Sequence, residues 1–284
     1  MFPRSSNQAR RKTILRVVAI LSLVPLLAFV AGAKDGSRSA QTRTALDPGP
    51  AAILKEARLQ LQAGVNTWNL KPLESARTAF LALVVGNPGP NAVLLHYAAL
   101  ADYRLAVCHL AANNAAESEY YVSEGQRYAA QAVEADPSFS ESHALQAYLL
   151  GLEVALHPDR AMSLAMQSMT SFAKALQIGP GNPRVNLLKG IYQLYVPEAY
   201  GGGPASALEF LEKSAALFER ETPQDPLLPS WGKEEAYTYL GRVYGMNKDI
   251  AKAKEYLMKA LAVNPDFGLA KSELQALAKI EKER

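Results

Sequence analysis

Apolar residues recur three and four positions apart along most of this 284-residue chain, in runs that are rich in Ala and Leu. This spacing places the apolar side chains on one face of an α-helix. No stretch longer than a few residues alternates apolar and polar positions in the way that a β-strand does. The pattern therefore predicts an all-α protein.

A proline follows the helical runs at a nearly regular spacing, often after Asn or Asp. The series is Pro88, Pro137, Pro180, Pro226 and Pro265, with gaps of 49, 43, 46 and 39 residues. Because proline cannot donate the next backbone hydrogen bond, a proline at these places favours the end of a helix. Such a period is typical of repeat proteins, in which each pair of helices packs on its neighbours.

The last unit, YTYLGRVYGMNKDIAKAKEYLMKALAVNP, shows the pattern most clearly. It resembles the tetratricopeptide repeat at every signature position, namely Tyr237, Leu240, Gly241, Tyr244, Ala253, Leu257, Ala260 and Pro265. Small residues such as Gly241 and Ala253 would let two helices cross closely, while the larger residues fill the seam between them.

The other units repeat this signature more faintly. Their matching positions are Gly64, Ala76, Phe80 and Leu83 in the first unit, and Ala132, Phe172, Ala175, Ala207 and Leu211 further on. The sequence thus predicts a tetratricopeptide-like α-solenoid of about five helix pairs across residues 51–265. The segment FGLAKSELQALAKIEKER is predicted to be a capping helix, which extends the repeat domain over 51–284.

The first 33 residues carry five cations and no Asp or Glu, followed by the apolar run from Val17 to Val30 and then Ala-Gly-Ala. This order is typical of a secretory signal peptide. We expect cleavage after Ala33, a flexible polar leader over 34–50, and a periplasmic or secreted protein. An uncleaved membrane anchor is the alternative, although the apolar run is shorter than the roughly 20 residues that span a bilayer.

Removal of the signal leaves 25 Lys and Arg against 27 Asp and Glu, so residues 34–284 have a net charge of about −2. This charge gives no electrostatic reason to expect nucleic acid or an acidic membrane surface as a partner. The single cysteine, Cys108, cannot form an internal disulfide, and the four histidines lack metal-ligand spacing. The sequence therefore predicts no catalytic, cofactor or metal site.

Three consecutive glycines in YVPEAYGGGPASALEF lack the lysine of a nucleotide-binding loop. One interpretation is an elbow, in which Pro197 stops one helix and Pro204 opens the next. The other is a contact loop, in which Tyr200, Gly201, Gly202 and Gly203 meet an anionic or peptide ligand at a helix start.

The region around this loop carries a second resemblance. Residues 182–219 and 225–245 are similar to exported bacterial tetratricopeptide proteins with a lengthened turn in one unit. More loosely, they resemble the periplasmic T-component of tripartite ATP-independent transporters, helical proteins proposed to hold a small organic ligand. Many of those are lipid-anchored through a Cys that this chain lacks at the required position.

The tetratricopeptide resemblance implies that the first helix of each pair lines a concave groove. By position, the implied groove contacts are His143, Gln146, Asn186, Tyr192, Thr238 and Arg242. The resulting hypothesis is an exported scaffold or adaptor that binds a protein or peptide partner without catalysis. The alternative is a periplasmic small-molecule-binding component associated with a transporter, which a cavity lined by tyrosines would favour.

Overall fold

The computed structural model describes residues 48–87, 89, 91–222 and 225–282, so the signal segment, Pro88 and nearly all of the leader lie outside the described residues. The described part contains α-helices and two short 3₁₀ turns, and no strand. The helices are α1 Pro48–Thr67, α2 Leu70–Gly86, α3 Ala92–Ala111, α4 Ala115–Ala135, α5 Ser140–Leu156, α6 Ala161–Ile178, α7 Pro183–Tyr195, α8 Pro204–Glu219, α9 Lys233–Met246, α10 Ile250–Val263 and α11 Gly268–Lys282. None of them is long and apolar enough to cross a membrane.

Consecutive helices pack as five pairs, from α1 with α2 to α9 with α10, and α11 packs against the last pair. Successive pairs also contact each other, for example α2 with α3 and α4 with α5. This arrangement confirms the predicted all-α, tetratricopeptide-like solenoid with a C-terminal capping helix.

Three of the turns inside pairs share one geometry. In each, a residue with a left-handed backbone is followed directly by an Asn or Asp whose side chain accepts a hydrogen bond from the start of the next helix. The residues are Trp68 and Asn69, Asn113 and Asn114, and Lys248 and Asp249, with φ of 56°, 58° and 64° at the left-handed positions. The turns of the third and fourth pairs are longer, and each contains a 3₁₀ turn.

The predicted proline stops are confirmed for three of the second helices. α4, α6 and α10 end just before Pro137, Pro180 and Pro265. Pro226 is different, because α8 ends at Glu219 and the proline lies in the connection that follows.

A glycine in the first helix of three pairs lies directly against a leucine of the second helix. A Cβ atom added at Gly64, Gly190 or Gly241 would lie 2.5, 2.8 or 2.6 Å from the Cγ atom of Leu73, Leu211 or Leu257. Real Cβ atoms do not approach other carbons so closely, so glycine sets how near the two helices can come. For Gly241 this is the helix crossing that the repeat signature predicts.

The first helices of the second to fifth pairs, α3, α5, α7 and α9, form the centre of the molecule. α3 is buried on every side from Val93 to Cys108. The two ends of the stack also meet: Gln62 in α1 donates to Glu234 in α9 at 3.0 Å, and Asn264 donates to Asn66 at 2.8 Å. The solenoid therefore closes on itself around a filled interior.

Gly241→Leu should destabilise the fold, since overpacking a tight helix contact costs about 1–3 kcal/mol. Gly86→Leu is the matched control, because a Cβ atom there would meet nothing within 4 Å. We expect the melting temperature to fall by several degrees for Gly241→Leu and to stay equal or rise for Gly86→Leu, in which leucine is the better helix former. Equal melting temperatures for the two variants would contradict the assigned helix crossing.

Candidate functional site

A buried ion pair joins the second helix pair to the fifth. The guanidinium of Arg104 in α3 donates to both carboxylate oxygens of Glu235 in α9, at 3.2 and 3.3 Å. Arg104 and Glu235 are 2% and 0% exposed, and the Arg104 guanidinium carbon lies 4.7 Å from the ring centre of Trp231. Burial raises the pKa of Glu235, and the charge of Arg104 opposes that rise.

A second buried cluster, the histidine cluster, consists of His96, Glu141, Asn182, Arg184 and Glu221. Arg184 Nη1 lies 3.0 Å from Glu221 Oε1 and 3.6 Å from Glu141 Oε1, and Asn182 donates to Glu141 at 3.1 Å. The cluster ties α3, α5 and α7 to the segment after α8. All five side chains are thereby held within the protein.

His96 is neutral in this cluster. Burial, together with the charge of Arg184, lowers the pKa of His96 to about 3. The 3.9 Å between His96 Nε2 and Glu141 Oε2 is too long for a hydrogen bond, so Arg184 is the cation that faces Glu141. Because the unfolded histidine titrates near 6.5, this group stabilises the fold above that pH and its contribution is lost as the pH falls toward 3.

Tyrosines from three first helices fill the other end of the interior. The rings of Tyr103 and Tyr148 meet edge to face, with centres 5.0 Å apart, and Tyr239 is buried among them. Arg242 donates to the Tyr195 hydroxyl at 3.0 Å and to Glu273 in α11 at 3.0 Å. These side chains pack against one another and fill the space between the first helices at this end.

The predicted groove contacts do not come together on one surface. His143, Asn186, Thr238 and Arg242 are buried, and Tyr192 is half-buried against Phe172. Several bond to nearby backbone; Thr238, for example, donates to the Glu234 carbonyl at 2.7 Å. In this closed arrangement they face other helices, and their role as partner contacts stays a prediction.

Gln146, the sixth predicted contact, lies in a groove on the outside of the molecule. The groove has a volume of about 690 Å³ and runs between α4 and α6, with α5 as its floor. Amide side chains line it from all three helices, at Gln126, Gln146 and Gln167, together with the apolar Leu150 and Met166. Neither this groove nor a second one of about 440 Å³ beside the start of α3 is lined by a tyrosine.

The exposed surface of α6 carries three methionines among its polar residues, whereas a surface helix is normally polar there. Met162, Met166 and Met169 are 70%, 62% and 60% exposed and lie next to one another on the helix, outside the buried stripe that contains Leu164 and Phe172. We call these three residues the methionine face. Sequence analysis missed it, although the spacing of four and then three residues, which places the three methionines side by side on a helix, is visible in the sequence.

The glycine loop is an elbow between α7 and α8, and main-chain hydrogen bonds hold it in place. Gly201 and Gly203 have φ of 80° and 90°, and a Cβ atom at Gly202 would lie 2.1 Å from the Val196 carbonyl oxygen. Only glycine tolerates such positions readily. The Gly203 N–H, at the start of α8, donates to the Gln193 carbonyl at 2.8 Å.

The side chain of Tyr200 in this loop faces outward and is 76% exposed. The alternative role of Tyr200, Gly201, Gly202 and Gly203 as ligand contacts stays a prediction. The main-chain bond to Gln193 already occupies one of the N–H groups that an anion would need.

The described residues include no group of three or more His, Cys, Asp or Glu side chains placed to hold a metal ion. Cys108 is buried, and burial raises the pKa of its thiol to about 12. A thiol in that state is a poor nucleophile.

Comparison with known proteins supports the fold. Similar solved structures include the HusA haemophore from Porphyromonas gingivalis, with a TM-score of 0.57, 21% identity, and coverage of 69% of this chain and 92% of that one. Another is a thermophilic TPR protein of Thermus thermophilus, with a TM-score of 0.53, 19% identity, and coverage of 78% and 99%. No protein-family model and no curated protein sequence matches the chain. At these identities the likeness shows the fold alone, which is that of a tetratricopeptide-like helical protein.

Arg104→Met should destabilise the protein strongly, because it leaves the buried Glu235 without its cation; breaking such a pair costs about 3–5 kcal/mol. Arg127→Met is the matched control, since Arg127 is 46% exposed and pairs with Glu124 at the surface, where such pairs contribute about 1 kcal/mol or less. Urea unfolding at pH 7 gives the free energy of unfolding of both variants. A similar small loss in the two variants would show that the Arg104–Glu235 contact does not hold the interior together.

Proposed function

We propose that the protein is an exported helical scaffold that binds a protein or peptide partner and performs no catalysis. The methionine face, together with the groove beside it, is the observation that carries this proposal. Three exposed methionines on one helix are an unusual surface for a protein with no partner, since contiguous apolar patches mark interaction sites. The tetratricopeptide-like fold supports the same function, as a rigid stack of helices that presents a preformed surface.

The chemistry of this surface suits a peptide or a helix of another protein. Methionine side chains are flexible and polarizable, so they adapt to apolar side chains of different shapes. Beside them, the amides of Gln126, Gln146 and Gln167 offer donors and acceptors for main-chain groups of a bound segment. A mixed surface of this kind fits an extended or helical segment with apolar anchors.

The filled interior also favours an outer binding surface. Binding between the first helices would require separation of buried ion pairs such as Arg104 with Glu235. Charged groups stripped of their partners in a buried site are costly. A partner that binds along α6 leaves this interior intact.

Site-specific photo-cross-linking tests the proposal. A photo-reactive amino acid in place of Thr170, which lines the groove, should give a discrete cross-linked product in cells that express the full chain. The combined change Met162→Gln, Met166→Gln and Met169→Gln should lower the yield about tenfold, equivalent to about 1.4 kcal/mol of binding free energy.

The pair Met246→Gln and Met258→Gln is the control, because these methionines are 52% and 59% exposed but lie on α9 and α10. Loss of the product in this control, or products only from probes placed outside the groove, would refute binding along α6. Native mass spectrometry of the purified protein addresses the alternative: a stoichiometric bound molecule of small mass would favour a small-molecule carrier.

We also propose export through the N-terminal segment, which is supported by its order of cations, apolar run and small residues. The mass of the protein recovered from the cell envelope fraction should correspond to a chain that begins at Lys34. A mass that retains residues 1–33 would instead support the uncleaved anchor.

A further inference from the structure

The side chain of Lys189 in α7 is surrounded by aromatic rings from three helices. Its Nζ atom lies 5.1 Å from the ring centre of Phe172 in α6, 5.0 Å from Tyr192 in α7 and 5.8 Å from Phe210 in α8. We call these three rings the aromatic cage. The lysine as a whole is half-buried.

Lys189 has an amide, and not a carboxylate, as its polar partner. Its Nζ atom donates to Gln193 Oε1 at 3.0 Å. Among the described residues, no Asp or Glu forms an ion pair with it, whereas Lys254, Lys259 and Lys271 each have one. The ammonium form is thus held by ring faces and one neutral oxygen, which replace only part of its hydration.

We propose that Lys189 is a site of covalent capture, where the amine condenses with a small aldehyde to form an imine inside the aromatic cage. The occupant must be small because the rings of Phe172, Tyr192 and Phe210 enclose the amine on several sides. Once formed, a protonated imine carries the same positive charge as the ammonium and keeps the same favourable contacts with the ring faces.

The reaction balances without any oxidant or reductant. The Nζ lone pair of the neutral amine forms a bond to the carbonyl carbon, and the carbonyl oxygen takes up a proton from water. The nitrogen gives one of its protons to the resulting hydroxide, which leaves a neutral carbinolamine and restores the water. The nitrogen then loses a proton and forms the double bond to carbon, while the hydroxyl leaves with a proton as water. The products of amine and aldehyde are one imine and one water.

The environment supplies the neutral amine that this step needs. Burial lowers the pKa of Lys189 to about 8. At pH 7 about one Lys189 side chain in ten is then neutral, whereas for an ordinary lysine the fraction is about one in 2,500. The intrinsic nucleophilicity of an amine falls as its pKa falls, so the rate advantage is smaller than this ratio.

Lys259 provides an internal control. Its Nζ atom also lies over an aromatic ring, 4.8 Å from the centre of Tyr256, but it donates to Glu255 at 2.7 Å. The hydrogen bond to Glu255 raises the pKa of Lys259. The two lysines therefore share a cation–π contact and differ in burial and in the carboxylate.

Reductive trapping tests the proposal on the unmodified protein. The purified chain is incubated with limiting propionaldehyde and cyanoborohydride at pH values from 6 to 10, and peptide mapping by mass spectrometry gives the alkylation rate of each lysine. At pH 7 we expect Lys189 to react about tenfold faster than Lys259, with a rate that levels off above pH 8. The ratio should shrink toward pH 10, as Lys259 also loses its proton.

The variant Lys189→Arg should abolish the fast adduct in intact-mass measurements while the slower modification of other lysines continues. A Lys189 rate equal to or below that of Lys259 at pH 7, or a rate that still rises above pH 9, would overturn the proposal. The mapping experiment needs no variant, so this conclusion does not depend on the folding of Lys189→Arg.

Discussion

The burial of the Arg104–Glu235 ion pair is the constraint on which the rest of this structure depends. It connects helices that are more than 100 residues apart in the chain, and both charges are removed from water. Buried charges are tolerated only with partners in good geometry, so the first helices must keep a fixed relative position. The histidine cluster imposes the same requirement on α3, α5 and α7. Together these contacts bury the side of the stack that would be a concave surface in an open solenoid.

Because the interior is filled with side chains, the surfaces that a partner can reach lie on the outside of the molecule. The second helices and the grooves between them remain available, and among the described helices α6 carries the largest number of exposed large apolar side chains, namely the three methionines. The aromatic cage of Lys189 lies elsewhere, between α6, α7 and α8, and includes the buried ring of Phe172. The proposed partner-binding surface and the proposed reactive lysine therefore lie at different places, and each can be tested without the other.

Much of the fold follows from the sequence because its determinants are local. The spacing of apolar residues, the prolines that end α4, α6 and α10, and Gly241 at a helix crossing all act through neighbours within one pair. The interior does not follow in this way. Arg104 and Glu235 belong to distant units, and nothing in the short segments around them indicates that they meet. For the same reason the sequence does not indicate that His143 and Arg242 are buried against other helices.

The contact between the two ends of the stack has a consequence for how the protein unfolds. In an open solenoid each repeat depends only on its nearest neighbours, so terminal repeats can fray separately. Here Gln62 and Asn66 bind residues of the last units, which leaves no free terminal repeat among the described residues. Unfolding of any one helix pair therefore weakens the whole closed stack. Denaturation should approach a single cooperative transition with a steep dependence on denaturant concentration.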